Sequence, residues 1–188
     1  MNDSLNTLAL SHQFIAARVR KGDVCIDATC GRGRDTLFLA RLCGETGRVI
    51  AFDIQKEAVE STLKLLKENG IRNADVRLDS HSHMDRCAEK ETVSAIMFNF
   101  GWLPGGDHSI FSKPDTSIEA IKKGLELLKP GGVMSLCIYY GKETGTAEKD
   151  ALLPFLKTID PEIYTVITAE FSNRKGEVPI PVFILKEN

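Results

Sequence analysis

The sequence lacks any apolar run that approaches the roughly 20 residues of a membrane span, so we expect no membrane partner. No charged segment followed by an apolar core opens the chain, and no signal peptide is predicted. The five cysteines form no Cys-x-x-Cys pair, which favours reduced thiols in a cytoplasmic protein. Internal repeats and low-complexity tracts are also missing, and 188 residues predict a single domain over positions 1–188.

An excess of positive charge is missing too, because 24 Lys and Arg residues face 26 Asp and Glu residues. The net charge of −2 gives no support for strong nonspecific binding of nucleic acid. Local basic groups still leave an RNA-binding face open as a hypothesis. These groups are Arg18, Arg20, Lys21, Arg32, Arg34, Lys122, Lys123, Arg174 and Lys175.

The sequence also offers little for a metal ion. His81 and His83 lie close in sequence to Asp79, Asp85 and Cys87, and these are residue types that bind zinc. Because no second pair of ligands at zinc spacing occurs elsewhere in the chain, we expect no metal site.

What the chain does contain is a glycine loop between a strand and a helix. Residues 24–40, VCIDATCGRGRDTLFLA, have the pattern of a buried strand, a tight turn and a helix start. Gly31 and Gly33 allow backbone rather than side chain to meet a ligand above the strand. Helix N-termini at such turns attract anions or polar ligand groups. Asp35 and Thr36 are predicted to cap the helix.

The loop does not match the dinucleotide fingerprint Gly-x-Gly-x-x-Gly, because its third glycine is replaced. Asp27 precedes the turn and Asp35 lies within it. Two carboxylates would repel a pyrophosphate, but they suit a cation such as the amino group or sulfonium of S-adenosylmethionine (SAM). A turn with a purely structural role also fits a lone Gly-x-Gly, so the rest of the chain has to decide.

Strand and helix patterns alternate along that rest. Strands are predicted at 24–26, 48–53, 74–78, 93–98, 133–140, 164–171 and 178–186, the last two forming a hairpin. Helices are predicted at 8–19, 35–43, 56–69, 113–128 and 148–159. This order predicts a Rossmann-like α/β fold, with a seven-stranded, mostly parallel sheet, an antiparallel last strand and helices on both faces.

Polar residues follow several of these strands, and ligands of such sheets bind at the carboxyl ends of the strands. Asp53 ends the second strand 20 positions after Gly33, a usual distance for a carboxylate that binds a ribose. A helix-capping role for Asp53 is the alternative. The polar groups expected at this edge are residues 27–35, Asp53, residues 79–81 and Asn99.

With these residues placed, nearly the whole chain resembles class I SAM-dependent methyltransferases. More narrowly it resembles the bacterial YtqB-like (MnmM) family, long called putative rRNA methylases. The motifs that carry the resemblance are DATCGRGRDTL (27–37), FDIQ (52–55), DSH (79–81), NFGWLPGGD (99–107) and YYG (139–141). The stretch 99–107 is far more specific than the glycine loop. Arg32, Arg34, Trp102 and Lys142 depart from the family pattern.

The resemblance implies an enzyme that methylates the aminomethyl nitrogen on carbon 5 of the tRNA wobble uridine and releases S-adenosylhomocysteine. It implies that residues 31–36 hold the methionine end of SAM, Asp53 the ribose, and residues 79–81 the adenine side. The implied cofactor-binding set is Asp27, Ala28, Thr29, Gly31, Arg32, Gly33, Asp35, Thr36, Asp53, Ile54, Gln55, Asp79, Ser80, His81 and Asn99. The implied RNA partner is the tRNA anticodon stem-loop.

The acceptor side is expected around the stretch 99–107. Asn99 is our first candidate for orienting the acceptor amine, and Asp107 and His108 are weaker candidates for taking or relaying its proton. As ordinary residues these would be a strand-closing turn residue, a turn acid and a solvated histidine. Phe100 or Trp102 would stack on a base, although both also suit a core. The implied substrate-binding set is Phe100, Gly101, Trp102, Leu103, Pro104, Gly105, Gly106, Tyr139 and Tyr140.

Other functions stay open. Within methyltransferases, rRNA or a small-molecule amine could be the acceptor, because a fold does not determine its substrate. A nicotinamide-dependent oxidoreductase is disfavoured by the missing third glycine and the final hairpin. A noncatalytic RNA- or protein-binding module is disfavoured by the intact acidic and glycine positions at the cofactor edge. A homodimer formed through an exposed helix is a further hypothesis.

Overall fold

The computed structural model describes residues 5–101 and 112–187, with only the backbone described at 142–144. Within these residues the strands are β1 (Val24–Asp27), β2 (Arg48–Asp53), β3 (Ala74–Leu78), β4 (Val93–Phe100), β5 (Leu128–Ile138), β6 (Tyr164–Thr168) and β7 (Ile180–Lys186). The helices are α1 (Thr7–Ala16), α2 (Arg34–Cys43), α3 (Lys56–Glu68), α4 (Pro114–Leu127) and α5 (Lys142–Leu156), with a 3₁₀-helix at His81–Arg86. No helix in this part of the chain is long and apolar enough to cross a bilayer.

All seven strands join one sheet in the order β3-β2-β1-β4-β5-β7-β6. The strands from β1 to β5 pair in parallel. Strand β7 runs antiparallel to both of its neighbours, β5 and β6. The predicted fold class is therefore confirmed. Because β1 and β4 lie side by side at the centre, their carboxyl ends meet where the strand order reverses, the usual ligand position in open α/β sheets.

The core lies on both faces of the sheet, because side chains alternate along each strand. In β1, Cys25 packs into one apolar cluster with Ile15 of α1 and Leu39 of α2. Its neighbour Ile26 packs into the other cluster, which includes Ile121 of α4. Burial of both faces explains why the central strands are short apolar runs rather than alternating patterns.

Helix α2 begins differently from the prediction. Gly33 is its N-cap residue, with φ of 81°, and no side chain caps the helix. A Cβ on Gly33 would lie 2.9 Å from the Cα of Thr62, so glycine is needed both for the backbone angle and for the close approach of α3. The predicted capping role of Asp35 and Thr36 is wrong, because both side chains are buried and hydrogen-bonded elsewhere.

Helix α5 begins six positions earlier than predicted. It contains residues 142–145, although the glycines at 141 and 145 predict a loop over 141–145. Glu148 is buried and accepts a hydrogen bond from Ser117 Oγ of α4 at 2.6 Å, which joins this part of α5 to α4. Pro154 lies within the last turn and removes a single backbone donor there. The buried neighbours Leu152 and Leu156 hold the helix on the sheet around it.

Several other bounds also shift. Helix α1 ends at Ala16, three residues before the predicted end, and β6 and β7 are shorter than predicted. Strand β4 continues to Phe100, so Asn99 lies inside the strand, paired with Cys137. Strand β5 starts at Leu128, because the Lys129–Gly132 segment extends the strand with a register shift opposite Val93 instead of forming a separate turn.

Candidate active site

A cavity of about 560 Å³ opens at the carboxyl ends of the central strands, a volume in the range of small-molecule sites. The predicted site residues that line it are Thr29, Gly31, Arg32, Asp35, Asn99, Phe100, Gly101, Tyr139 and Tyr140. The lining residues missing from the predicted set are Leu8, Cys30, Arg34, Gly141 and Glu177. The cavity therefore brings together motifs that are far apart in the sequence, the glycine loop, the end of β4 and the segment after β5.

The wholly buried carboxylate of Asp27 holds the glycine loop from behind. Thr36 Oγ1 donates a hydrogen bond to Asp27 Oδ2 at 2.6 Å, and the backbone N–H of Thr29 donates to Oδ1 at 3.3 Å. Burial, reinforced by the nearby carboxylate of Asp35, raises the pKa of Asp27 above its ordinary value. Asp27 thus braces the loop from within the protein, and a ligand cation above the loop would favour its ionised form.

Asp53 fastens the same loop to the end of β2. Its Oδ2 accepts a hydrogen bond from the backbone N–H of Gly31 at 3.0 Å, and Oδ1 accepts one from that of Gln55 at 2.9 Å. Burial raises the pKa of Asp53. A carboxylate has about four acceptor positions, so two remain for the hydroxyls of a ligand. The capping alternative is wrong, because Gln55 is the N-cap residue of α3 and no side chain caps this helix.

A chain of three side chains connects α1 to β4 through the cavity-lining residues Asp35 and Asn99. Asn99 Nδ2 donates a hydrogen bond to Asp35 Oδ2 at 2.7 Å, and His12 Nε2 lies 2.7 Å from Asp35 Oδ1. The backbone N–H of Asn99 donates to Thr29 Oγ1 at 2.7 Å. Because Asp35 holds the amide nitrogen of Asn99, the carbonyl oxygen of this amide is the end that can accept a hydrogen bond from a ligand.

A model of the family described as "Putative rRNA methylase" matches residues 49–185. The chain belongs to this family. The resemblance found in the sequence motifs is therefore confirmed.

Solved structures agree with this family. A crystal structure described as a putative rRNA methylase from Clostridium thermocellum is 44% identical, with a TM-score of 0.95, and the match covers 97% of this chain and 98% of that one. A putative methyltransferase from Streptococcus mutans, crystallised with S-adenosylhomocysteine (SAH), is 36% identical with a TM-score of 0.88, covering 97% and 99% of the two chains.

A curated relative carries a more specific name. The chloroplastic tRNA (mnm5s2U34)-methyltransferase of Arabidopsis thaliana is 37% identical in an alignment of 180 positions that covers 89% of this chain. The chain spans only 65% of the length of that relative.

The structure of this rRNA methylase family member places apolar side chains beside the Asp53 edge of the loop. Ile54 and Leu78 follow and end neighbouring strands, and they are 57% and 56% exposed. Asp79 comes next and accepts hydrogen bonds at Oδ1 from His83 Nδ1 and from the backbone of Ser80, both at 2.7 Å. The His83 contact lowers the pKa of Asp79. Exposed apolar side chains next to polar groups form a surface suited to one face of a flat base.

His81 points inward, away from the surface formed by Asp79 and Ser80. Its ring contacts Phe98 and Phe100 edge-on, with ring centroids 5.8 Å and 6.4 Å away. Its buried Nε2 has no hydrogen-bond partner among the described residues. Burial lowers the pKa of His81 to about 4, so the ring is neutral at physiological pH. The predicted contact of His81 with the adenine side stays a prediction.

Part of the predicted acceptor side lies outside the described residues, namely Trp102, Leu103, Pro104, Gly105, Gly106, Asp107 and His108. The two described residues that flank this stretch are hydrogen-bonded to each other. The backbone N–H of Gly101 donates to Ser112 Oγ at 3.0 Å, and Ser112 Oγ donates to Glu148 Oε2 at 2.6 Å. Burial raises the pKa of Glu148. Gly101, which lines the cavity, and Ser112 therefore lie next to each other.

The electrostatics of the described site suit a ligand with both signs of charge. Asp35 lines the cavity on one side, and Arg32 and Arg34 line it at the start of α2. Arg32 also forms an ion pair with Glu57 at 2.8 Å. No group of three or more His, Cys, Asp or Glu residues in the described ranges is arranged to hold a metal ion.

Sequence reasoning missed five lining residues, which are Leu8, Cys30, Arg34, Gly141 and Glu177. It also missed His12, which contacts the lining residue Asp35. Arg34 stands inside the glycine-loop motif, so a wider reading of that motif includes it. His12 comes from α1 and Glu177 from the segment before β7, and neither lies in a motif. Only the folded chain brings Glu177 into the cavity lining and His12 into contact with Asp35.

Proposed function

We propose that this chain is a SAM-dependent methyltransferase that acts on RNA, and specifically that it methylates the aminomethyl nitrogen on carbon 5 of the tRNA wobble uridine. The observation that carries the proposal is the position of Asn99, whose oriented amide shares one cavity with the acidic glycine loop. The printed name of the Arabidopsis relative and the SAH in the Streptococcus structure support the reaction and the cofactor.

The described residues fit SAM. The two remaining acceptor positions of Asp53 suit the ribose hydroxyls, and the exposed side chains of Ile54 and Leu78 suit the adenine ring. The carboxylate of Asp35 suits a cationic group within the cavity, and Arg32 and Arg34 suit the carboxylate of the methionine part. When bound, SAM would supply a methyl group activated by its attachment to a positively charged sulfur.

Asn99 would orient the acceptor. Its carbonyl oxygen accepts an N–H of the neutral acceptor amine, so the nitrogen lone pair points toward the donor methyl group. Holding the reacting atoms at a near-attack distance of about 3–3.5 Å supplies much of the acceleration of such a displacement. After methyl transfer the acceptor nitrogen is positively charged, and a base or water removes its extra proton. Asp107 and His108 stay predictions for that step.

Aromatic residues after β5 would hold the acceptor base. Tyr139 and Tyr140 line the cavity near Asn99, whereas the ring of Phe100 is wholly buried in the core and stacks on Phe98 with centroids 5.0 Å apart. Single-stranded or splayed-out bases are commonly recognised by stacking on such rings. A wobble uridine lies in an anticodon loop, where bases can leave the stack, so an anticodon stem-loop suits this arrangement. A homodimer and a cytoplasmic location are predictions that carry no part of this argument.

The test is nucleoside mass spectrometry on tRNA that carries unmethylated 5-aminomethyl-2-thiouridine, incubated with the protein and isotopically labelled SAM. We expect one labelled methyl group on this nucleoside and none when SAM is omitted. The same incubation with rRNA and with small amines tests the two other acceptor classes. Label in either of those and none in tRNA would overturn the tRNA assignment, and protection by NAD in place of SAM in a melting assay would overturn the methyltransferase assignment.

A further inference from the structure

A second cavity, of about 360 Å³, lies next to the first, between α5 and the segment that joins β6 to β7. Its lining includes two cations and two aromatic rings, Lys149, Arg174, Tyr140 and Phe171. We call these four residues the basic–aromatic groove. Tyr140 lines both cavities, so the groove opens from the same place at which the acceptor base would sit.

The cations of the groove lie over its rings. Lys149 Nζ is 4.9 Å from the centroid of the Tyr140 ring, and the guanidinium carbon of Arg174 is 4.3 Å from that of Phe171. Arg174 also donates a hydrogen bond to the backbone carbonyl of Leu5. These contacts hold both positive groups at the groove surface, where an aromatic face and a cation are presented together.

Negative groups near the groove reduce its positive charge without cancelling it. Asp150 lies 3.6 Å from Lys149 but is largely exposed, so it contributes weakly. Glu170 also lines this cavity, where it is one carboxylate against the two cations Lys149 and Arg174. The surface thus combines local positive charge with flat apolar faces on a chain whose net charge is negative.

We propose that the basic–aromatic groove binds the RNA segment next to the acceptor nucleotide. Bases stack on aromatic rings and on guanidinium planes, and phosphates pair with Lys and Arg, so this combination suits single-stranded RNA better than a purely acidic peptide. The inference rests on the proposed function, because the acceptor nucleotide in the first cavity places its neighbour near Tyr140. It adds the contact surface that brings RNA rather than a free nucleoside to the site.

The test is binding of an anticodon stem-loop RNA to the full chain, measured by fluorescence anisotropy at several salt concentrations. Lys149→Ala combined with Arg174→Ala should weaken RNA binding about tenfold, and the slope of log K against log salt should become shallower by roughly 1–2. SAM affinity should stay within about twofold, which shows that the variant is folded. The matched control is Lys64→Ala combined with Arg72→Ala. It removes the same charge from α3 and the following loop, which precede β3 at the opposite edge of the sheet from β6.

Two further variants separate charge from stacking. Lys149→Arg combined with Arg174→Lys keeps both charges and should keep the wild-type salt slope, although the changed stacking lowers affinity. Phe171→Leu keeps an apolar side chain and should weaken binding about fivefold without changing the slope.

Equal RNA affinity and equal salt slope in the groove variant Lys149→Ala/Arg174→Ala and in the control would overturn the inference. Binding of an acidic protein in the groove in place of RNA would also overturn it. If the groove variant and the control both methylate tRNA normally, the inference fails while the proposed function stands. If the wild-type chain binds the stem-loop through the groove but methylates no RNA, the proposed function fails and the groove stands. A wild-type chain that binds no RNA overturns the inference directly.

Discussion

The two sides of the candidate site are built in different ways. On one side, near β1, β2 and β4, each site residue is fixed by at least two hydrogen bonds or by a hydrogen bond and deep burial. These residues are Asp27, Asp35, Asp53 and Asn99. We call these four residues the acidic side. In the basic–aromatic groove, the positive groups are held mainly over ring faces, on partly exposed side chains.

The difference matches the ligands that we propose for each side. A small cofactor must be held in one geometry, and a side chain already fixed by hydrogen bonds loses little entropy when the cofactor binds. An RNA segment varies in conformation, and stacked rings with long cationic side chains can adapt to it. Substitutions on the acidic side test whether it is fixed for binding and chemistry.

The largest effect is expected at Asp53. Asp53→Ala removes an acceptor for two ribose hydroxyls, and hydrogen bonds to a charged group are worth about 1.5–3 kcal/mol each, so SAM affinity should fall at least about 100-fold. It also releases the backbone N–H of Gly31 and Gln55. Isothermal calorimetry with SAM measures the change. Asp115→Ala, which removes an exposed carboxylate from the first turn of α4, is the control, and a SAM affinity like wild type in Asp53→Ala would remove our ribose assignment.

The second effect separates chemistry from cofactor binding. Asn99→Ala should lower kcat about 100-fold, because the acceptor amine loses its orienting oxygen, while SAM affinity changes by only a few fold. Single-turnover methylation of tRNA measures the rate, and Asn69→Ala serves as a control that removes an exposed amide from the end of α3. Near-normal product formation by Asn99→Ala would place the acceptor site elsewhere.

The acidic side shows what could be predicted from sequence. Strands β2 and β3 match their predicted bounds because each is a short apolar or alternating run between turn residues. Asp53 at the end of β2 could be predicted for the same reason, since the carboxyl ends of parallel strands share one edge. Asp35 could be placed in the loop, but its role could not be deduced. Asp and Thr at a helix start suggest capping, and only burial shows that Asp35 bonds to β4 and α1 instead.

The groove shows where local signals mislead. Gly145 suggested a loop, yet in the structure it lies in α5, where a Cβ would be 3.0 Å from the Cα of Tyr140. Glycine there permits close packing of the helix on the segment after β5. The groove itself joins Tyr140, Lys149 and Arg174, which come from three separate segments. Arg174 is among the basic groups that leave an RNA-binding face open as a hypothesis, but no short window of sequence contains these contacts, and so its position beside Lys149 and Tyr140 could not be predicted.

The third effect concerns pH. His81 is half-buried with its Nε2 atom fully buried, and this burial lowers its pKa to about 4, against 6.5 for an ordinary histidine. Below about pH 6.5 this histidine is protonated in the unfolded chain but stays neutral in the folded chain. The contribution of the neutral ring to the free energy of unfolding is therefore present above about pH 6.5 and is lost as the pH falls toward about 4. Between about pH 7.5 and about pH 5 the loss from this group amounts to about 2 kcal/mol.

Urea unfolding of the wild type and of His81→Phe at these two pH values measures that loss. The variant keeps ring contacts with Phe98 and Phe100 but has no proton to gain, so its stability should fall by about 2 kcal/mol less than that of the wild type. From about pH 7.5 to about pH 8.5 the two chains should change in parallel. Equal losses on the acid side would show that the ring takes up its proton in the folded state as readily as in the unfolded one.

The smallest effect tests whether the acidic side extends to α1. His12→Phe keeps the ring stacked on Phe38, whose centroid is 3.9 Å away, but removes the contact with Asp35, so Asn99 should lose part of its orientation. We expect kcat for tRNA to fall about tenfold while KM for tRNA and SAM affinity stay within about twofold, because His12 acts through two other side chains. His12→Gln, which restores an N–H donor, should recover much of the rate. Phe38→Leu is the control that removes the stacking and keeps the hydrogen bond. An equal fall in kcat for His12→Phe and Phe38→Leu would mean that His12 contributes only through packing. The fixed part of the site would then end at Asp35.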